Sequence, residues 1–465
     1  MKTTTAWLVH RGVAAVLLVA WISLGVQVEV LIGARGLAPI EPLLERLAAE
    51  GVSFWQAPTL LWWGASDTII AAGTWLGGAL AMCALLGRYP RVCFALSAPL
   101  YLSYTVAAQT FLSFQWDNLL VEMAVLAALL PDRGGRHPAL WMYRLLLFKL
   151  MFESGLAKWQ SHLGDWQDGS AMTHYYQTAP LPAPGGWYFH HLPAGWHALE
   201  GWWTLFFELA VPFLIFIGPG ARRLAAAIFA SFLVLNQATA NYGFFVLQAA
   251  VLLLVCLEDT DIQRLYRALR RRLRVLPAAP ALHTPPLSGT ARLLPAGLLL
   301  AWTGLSALYG LERFADVSLA PRLTEAIRPL RIANTYHLFG HITTARVEPE
   351  FQTLEGETWT AQHLHYKPGP LERRPPFVAP HQPRVDFRLW FYGLSYSRGT
   401  PRYVRTLAQR LCEDPGAVQS LFTAPLPPAP DAVRIVFWQY TYASPGGDGW
   451  WQRTSVDASP AAACH

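Results

Sequence analysis

The sequence predicts a polytopic α-helical membrane bundle of about nine spans (residues 1–314), followed by a soluble, antiparallel β-rich α+β domain (residues 315–465). The first supporting observation is composition, since 53% of the 465 residues are hydrophobic and 14% are charged, whereas soluble domains carry about 25% charged residues. The second is that apolar segments of spanning length recur throughout the first region. The third is that the second region contains short stretches of β-type composition.

Nine apolar segments are long enough, or nearly long enough, to cross a bilayer. They lie at about residues 12–33, 68–87, 92–112, 117–131, 141–159, 202–218, 223–241, 244–258 and 292–311. The first segment is about 20 residues long and is followed by no clean A-x-A cleavage site, so we expect a membrane anchor rather than a signal peptide. The 20 tryptophans and 17 tyrosines are typical of a chain with many membrane–water interfaces.

The arginines predict the orientation, because positive residues favour the cytoplasmic side of short loops. A cytoplasmic N-terminus places every arginine-rich loop inside, including the Arg- and Pro-rich linker 259–290. Nine spans then put residues 315–465 on the outer face, which is the periplasm in a bacterium or the lumen in a eukaryote. The net charge of +6 is therefore interpreted as topology and not as nucleic-acid binding. Scarce lysine beside abundant arginine indicates a GC-rich bacterial genome, and hence an inner membrane.

Within the outer domain, alternation and composition predict strands and one helix. The strands are expected at 343–354, 358–366, 386–394 and 433–442, and the helix at 402–412. The aromatic residues of the strands either fill the core of the domain or form a docking face for a client polypeptide. Cys412 and Cys464 can pair in an oxidising compartment, but their spacing does not decide it. The five cysteines show no metal-ligand spacing, so no metal site is predicted.

The stretch LLFKLMFESGLAKWQ (146–160) carries three charged residues in or beside a predicted span. Lys149 and Glu153 are four residues apart on one helix face, so we expect them to pair. Lys158 is about 140° around the helix from Glu153 and lies at the outer boundary. It either snorkels to the interface or faces a cavity as a desolvated amine, which can act as a base or bind an anion.

Other polar side chains form two further candidate groups. Asp117, Asn118 and Glu122 lie in the fourth predicted span, where they indicate either a functional cavity or helix–helix hydrogen bonds. The outer loop 160–201 is rich in Pro, Trp and Tyr and is predicted to be a rigid loop at the interface rather than a metal site. Its candidate residues are Trp166, Gly169, Met172, His174, His190 and His191.

The chain resembles the lipase maturation factor family over nearly its whole length. The stretches that carry the resemblance are LIGARGLAPI (31–40), FQWDNLLVE (114–122), residues 150–193, NYGFFVLQ (241–248), RIANTYHLFGHITTARVE (331–348) and YKPGPLERRPPFVAPHQPRVDFRLWF (366–391). The last of these is the most specific, and it contains Arg373, Arg374, His381, Gln382, Arg384 and Asp386. In animals, the resemblance implies a polytopic protein of the endoplasmic reticulum membrane that assists the folding and assembly of secreted lipases.

A shorter stretch resembles a second group. ESGLAKW with DWQDGSAM (153–172) is similar to a motif of vitamin K-dependent γ-carboxylases and their bacterial multi-helix relatives. That resemblance implies that Lys158 is the base of a quinone epoxidation, with Trp166, Gly169 and Met172 as framing positions.

Two functions from different classes follow. The first is a non-enzymatic maturation factor with no cofactor, whose partners are membrane lipids and a secreted or periplasmic client such as a lipase. The second is a membrane enzyme that holds a lipid quinone or another cofactor near Lys158. Under the first function, the proline-rich loop around residues 373–386 is either a rigid polar platform for the client or a structural clasp against the bundle.

Overall fold

The computed structural model describes residues 5–131, 138–273 and 293–464 and is mostly helical, with a C-terminal antiparallel sheet. Helices of the first region are α1 (Thr5–Gly25), α2 (Val28–Ile32), α3 (Ile40–Ala49), α4 (Asp67–Leu85), α5 (Pro90–Ala107), α6 (Gln115–Leu129), α7 (Pro138–Trp159), α8 (Ala171–Thr178), α9 (Pro184–His190), α10 (Ala194–Leu209), α11 (Leu214–Ile217), α12 (Pro219–Thr239), α13 (Phe245–Leu253), α14 (Asp259–Leu273) and α15 (Leu293–Phe314).

All nine predicted apolar segments contain helix, but the count of nine spans is not confirmed. Three helical segments of the described chain are both long and apolar enough to cross a membrane: Thr5–Gly25, Asp67–Leu85 and Ala194–Ile217. Helix α6 has only 15 residues, and α7 carries four charged residues. Large apolar side chains are exposed on the outside of the bundle, and Trp75 is 79% exposed. Such surfaces are typical of membrane contact, so the apolar helices suggest a membrane protein.

The predicted outer loop 160–201 is largely helical. It contains α8 and α9 and the start of α10. The predicted linker 259–290 begins with α14, and its residues 274–290 lie outside the described part of the chain.

The C-terminal region consists of one antiparallel sheet and three helices. Its elements are α16 (Pro321–Ile327), β1 (Arg346–Glu355), β2 (Thr358–Gln362), α17 (Arg384–Gly393), α18 (Arg402–Glu413), β3 (Ala432–Tyr442), β4 (Trp451–Ala458) and β5 (Ala462–Ala463). The strand order is β2-β1-β3-β4, and β5 pairs with β3. Phe351 lies opposite Ile435 in the central pair, and both side chains are buried in the core between the sheet and its helices.

Four of the five elements predicted for this region are confirmed, and one is wrong. Strands β1, β2 and β3 and helix α18 occur where they were expected, although β2 ends at Gln362. The predicted strand 386–394 belongs instead to helix α17, because its buried apolar residues Val385, Leu389 and Tyr392 have the spacing of one helix face. Strand β4 was missed, because Trp451 is its only buried residue and no alternation of apolar residues marks it.

A disulfide joins Cys412, near the end of α18, to Cys464, which follows β5. It closes a loop across 52 positions of the chain. The sequence left this pairing open, and the fold brings the two cysteines together.

Candidate functional site

The C-terminal region binds the helical bundle through residues 331–342, here called the docking segment. Side chains of the bundle accept hydrogen bonds from its backbone. Tyr336, His337 and Ile342 donate their N–H groups to Glu153, Gln115 and Asp165 at 2.7, 2.7 and 2.8 Å. The bundle residues come from α6, α7 and the loop after α7, so three separate parts of the bundle satisfy the backbone of one segment.

Glu122 and Lys149 form a buried ion pair between α6 and α7 at 3.4 Å. Glu122 is fully buried and also accepts hydrogen bonds from the Tyr336 hydroxyl at 2.6 Å and the Asn334 amide at 2.8 Å. Lys149 Nζ donates to Ser306 Oγ at 3.0 Å. The pair is therefore compensated by hydrogen bonds from the docking segment and from α15, as a buried charge requires.

The predicted pairing of Lys149 with Glu153 is wrong. Glu153 Oε2 instead accepts the backbone N–H of Tyr336, and Lys149 pairs with Glu122 on the neighbouring helix. The two side chains do share one face of α7, but that face meets other polar partners that the local sequence does not reveal.

Asp117 and Arg384 form a second buried pair, in which the guanidinium donates two parallel hydrogen bonds of 2.6 and 2.7 Å. Asp117 also accepts a hydrogen bond of 2.8 Å from the Tyr101 hydroxyl. Asp117 and Arg384 are at most 1% exposed. The sequence assigned these residues to two different candidate groups, and the fold joins them. Next to this pair, Asn118 accepts a hydrogen bond from Arg331 of the docking segment at 3.0 Å.

The loop formed by residues 373–386, here called the clasp loop, is bound by three polar side chains of the bundle. These are Ser23, Gln27 and Asn241, which bond to the backbone of Pro376, Val378, Gln382 and Arg384 at 2.7–2.9 Å. Ser23 also bonds the ring of His381 at 3.0 Å. The clasp interpretation therefore fits residues 376–384 of this loop better than a client platform, because their backbone is hydrogen-bonded to the bundle.

The two arginines at the start of the clasp loop make contacts inside the C-terminal region. Arg373 donates to the backbone carbonyl groups of Leu364 and His365, and Arg374 lies 5.3 Å from the ring centre of Trp450. Sequence reasoning missed Ser23 and Gln27. Their spacing of four residues at the end of α1 was the available signal.

Lys158 is buried and does not snorkel. Its ammonium group lies 2.7 Å from Glu208 Oε2 and donates to the Leu338 carbonyl oxygen at 2.9 Å. It also lies 5.2 Å from the ring centre of Trp166. The snorkelling interpretation fails because α10 and the docking segment cover the end of α7. Gly155 permits this close approach, since a Cβ atom there would lie 2.7 Å from the Cβ of Glu208.

The six candidate residues of the outer loop 160–201 lie in two different places in the structure. Trp166 and Met172 are buried near Lys158 and line the cavity described below, and Gly169 is left-handed (φ 79°) and packs against Ala198. The histidines lie elsewhere. His190 packs on Tyr442 with ring centres 5.4 Å apart, and burial, aided by the charge of His191, lowers the pKa of His190 to about 4.

The other two candidate histidines, His174 and His191, make local contacts with residues four positions away in the chain. His191 bonds the Trp187 carbonyl oxygen at 2.7 Å. His174 accepts the Thr178 hydroxyl on its backbone oxygen at 2.9 Å.

A cavity of about 1220 Å³ lies between the bundle and the C-terminal region. Helices α7, α8, α10 and α12 contribute to its wall, and the docking segment and α17 line it from the other side. Lys158, Trp166 and Met172 all reach it. Most lining side chains are aromatic or aliphatic, so the cavity suits a large apolar molecule with a polar end.

Asp386 gives a pH-dependent prediction outside the helical bundle. It is 3% exposed and accepts the backbone N–H of Tyr366 at 3.1 Å. Burial raises the pKa of Asp386 to about 6, although the Tyr366 N–H and the Lys367 charge oppose this. Because the ordinary value is 3.8, the folded state binds the proton more tightly than the unfolded state. The resulting stabilisation is complete below about pH 4 and is lost as pH rises through about 6.

We therefore expect Asp386→Asn to remove this pH dependence. Between pH 4 and pH 7 the free energy of unfolding of the unmodified protein should fall by about 2–3 kcal/mol relative to the variant. Thermal unfolding of the purified protein at several pH values measures the difference. The exposed Asp448 provides the control Asp448→Asn, which should follow the unmodified protein. A parallel curve for Asp386→Asn would contradict the prediction.

Both regions of the chain match models of known protein domains. The model of the lipase maturation factor transmembrane domain matches residues 4–264, and that of the lipase maturation factor C-terminal domain matches residues 332–460. No solved structure matches the chain significantly. The first match ends before α15, and the second begins at the docking segment. The buried contacts described above therefore join residues of one matched domain to residues of the other.

Two relatives are similar to this protein along nearly the whole chain. Lipase maturation factor 2 of Homo sapiens is 30% identical over 96% of this chain and 81% of its own length. Lipase maturation factor 1 of Bos taurus is 28% identical over 97% of this chain and 88% of its own length. The chain belongs to the lipase maturation factor family.

Proposed function

We propose that this protein is a membrane-bound maturation factor that assists the folding or assembly of client proteins on the outer face of the membrane. The observation that carries the proposal is family membership over both domains. The buried contacts described above support it further, because they hold the C-terminal region rigidly at one end of the bundle. The client is a secreted or outer-face protein, and the names of the relatives make a lipase the first candidate.

The proposed topology has nine spans, a cytoplasmic N-terminus and an outer C-terminal region. The arginine distribution supports it, and so does the disulfide between Cys412 and Cys464, because disulfides persist in oxidising compartments. In a bacterium, this orientation corresponds to the inner membrane and the periplasm.

A protease protection assay tests the topology. We expect a tag after residue 465 to be cut by protease added to the outer side of intact cells or spheroplasts, and a tag within residues 275–289 to be protected. The reverse pattern would overturn the proposed orientation.

The sheet offers a face that suits a client polypeptide. Trp359 and Trp438 are half-buried on it, and Arg434 and Arg453 stack on their rings with 4.1 Å from guanidinium carbon to ring centre. We call these four residues the Trp/Arg face. Stacked Trp and Arg side chains are enriched where proteins bind proteins. The buried aromatic residues Phe351 and Phe437 fill the core, so the core and docking interpretations apply to different aromatic residues of the same sheet.

The experiment compares exported proteins in cells that lack this protein and in cells that carry a restored copy. We expect the abundance or activity of one or a few exported proteins to fall without the protein, with unchanged transcripts. Restoration by Trp359→Ala/Trp438→Ala should recover less than half of the loss, since central Trp contacts contribute about 2 kcal/mol or more to binding. Trp55→Ala, at a tryptophan that is 69% exposed outside the sheet, is the matched control.

An exported proteome that does not change when the protein is absent would overturn the maturation proposal. Full restoration by the double tryptophan variant would overturn only the assignment of the client face.

A second candidate function is a membrane enzyme of the γ-carboxylase-like group that uses Lys158. The observation in its favour is the cavity, which is large enough for a lipid quinone and reaches Lys158. The immediate contacts fit this role poorly. The Lys158 amine is an ammonium group bound by Glu208 and by a carbonyl oxygen, whereas a base needs a free lone pair. We therefore derive no reaction step from it.

A further inference from the structure

We propose that the cavity is a binding site for one membrane phospholipid with an anionic headgroup, which enters sideways from the bilayer between α10 and α12. The site is separate from the Trp/Arg face. The proposal does not depend on the maturation function, because binding is measured on the isolated protein.

The size and depth of the cavity match a lipid better than a small metabolite. Its volume of about 1220 Å³ exceeds the usual range of about 300–1,000 Å³ for small-molecule pockets. Ser231 lines it and lies eight residues before the end of α12 at Thr239. At 1.5 Å per residue, the cavity therefore extends roughly 12 Å along α12 from the outer end of that helix. A polar metabolite gains nothing from such apolar depth, whereas an acyl chain does.

The opening towards the bilayer lies between two helices. Phe207 of α10 and Phe232 of α12 both line the cavity, and their ring centres are 6.4 Å apart. On the same side, Trp203 lines the cavity and is 47% exposed, and Ser231 is also exposed. Residues that line a cavity and are also exposed on the outer surface of the bundle mark its entrance. Aromatic side chains at this entrance can move aside for an acyl chain.

The charged lining of the cavity is positive overall, because five lysines and arginines line it against three carboxylates, Glu200, Glu208 and Glu312. Arg313, Arg331 and Arg388 line it, and no carboxylate among the described residues forms an ion pair with any of them. Among the described residues, the guanidinium group of Arg313 lies 5.5 Å from the ring centre of Phe314, and that of Arg388 lies 5.3 and 5.9 Å from those of Phe391 and Phe114. The other lining cations are neutralised, since Lys158 pairs with Glu208 and Arg328 with Glu312.

Three guanidinium groups without an ion-pair partner among the described residues, lying beside an apolar cavity, fit a phosphate, which arginine binds through paired hydrogen bonds. Two lining tryptophans, Trp116 and Trp166, add buried indole N–H groups that find no acceptor in the described part of the chain. Phosphate and ester oxygens are the acceptors that such donors need.

The test uses the full-length protein in a neutral detergent and native mass spectrometry. The probes are phosphatidylglycerol, the uncharged diacylglycerol with the same chains, and inorganic phosphate. We expect one phosphatidylglycerol per chain to remain bound, diacylglycerol to bind at least about tenfold more weakly, and millimolar phosphate not to displace the lipid. Arg313→Gln/Arg388→Gln should weaken phosphatidylglycerol binding about tenfold. Arg313→Lys/Arg388→Lys should restore only part of the loss, because lysine keeps the charge but cannot form the paired hydrogen bonds of a guanidinium group.

Two further variants separate this site from ordinary lipid contact. Ser231→Trp fills the entrance from an exposed position and should reduce lipid binding without unfolding the protein. Arg322→Gln changes an exposed arginine outside the cavity and should bind like the unmodified protein. Equal binding of phosphatidylglycerol and diacylglycerol would overturn the proposal, as would unchanged binding by the double Gln variant or displacement by phosphate alone.

Discussion

Asp117→Leu is expected to lower the free energy of unfolding by about 3–5 kcal/mol, because it leaves the Arg384 charge buried without a partner. Arg384 is 1% exposed, and both hydrogen bonds of its guanidinium to Asp117 are shorter than 2.8 Å. The pair also joins the clasp loop to α6. We therefore expect limited proteolysis to release the C-terminal region of the variant earlier than that of the unmodified protein. Thermal unfolding in detergent measures the loss of stability.

The double variant Asp117→Leu/Arg384→Met separates two contributions to stability: the net contribution of the ion pair, and the cost of leaving one buried charge without a partner. Replacing both partners by apolar side chains of similar size is often close to neutral, so we expect it to regain more than half of the lost stability. The control is Arg35→Met. Arg35 pairs with Asp414 at 3.2 Å, but the two side chains are 72% and 28% exposed, so the expected loss is below about 1 kcal/mol. A loss for Asp117→Leu no larger than that of the control would contradict the buried-pair argument.

The Asp117 pair also shows what the sequence reveals and what it does not. A carboxylate in an apolar span indicates a polar environment, because an isolated charge there is too costly. That inference was correct for Asp117, Glu122 and Glu153. Its partner was not predictable, since Arg384 lies 267 residues away along the chain. For Lys149 the sequence offered only the neighbour on its own helix, and the real partner is on α6.

The same distinction applies to the rest of the fold. Strands β1 and β3 were predictable because their buried residues leave a periodic signal. Strand β4 has little buried surface and therefore leaves none. The cavity has no sequence signature, because it arises where several separate elements fail to fill the space between them. Two sequence features pointed towards a cavity: the motif around Lys158, and the polar residues Asp117, Asn118 and Glu122, of which Asn118 lines it.

The buried carboxylates of α6 and α7 share one structural role. Glu122, Glu153 and Asp117 each accept a hydrogen bond from the docking segment or the clasp loop. Hydrogen bonds are stronger in surroundings of low dielectric constant, and unpaired groups there are correspondingly costly. Lys149 and Tyr101 provide only part of the partners of Glu122 and Asp117 within the bundle, so these acceptors are fully satisfied only when the C-terminal region is in place. The two domains should accordingly behave as one unit in unfolding.

Lys158 falls under the same argument, and this changes how its replacement must be interpreted. Lys158→Ala is expected to cost about 3–5 kcal/mol, because Glu208 would stay buried without a counter-charge. Glu208 is 5% exposed and its contact with the ammonium is 2.7 Å. A loss of function in this single variant is therefore expected for a structural residue and for a catalytic one alike. Thermal unfolding of the purified variant should show the destabilisation directly.

The double variant Lys158→Met/Glu208→Gln distinguishes the two roles, because it removes both charges and keeps the side-chain volumes similar. We expect its thermal stability to return close to that of the unmodified protein, with one lost hydrogen bond to the Leu338 carbonyl oxygen costing about 1 kcal/mol. If Lys158 is structural, the folded double variant should restore exported client proteins to the unmodified level. If it is a base, the variant should be as stable but inactive. That result would contradict the structural interpretation of Lys158 and would support the enzyme function.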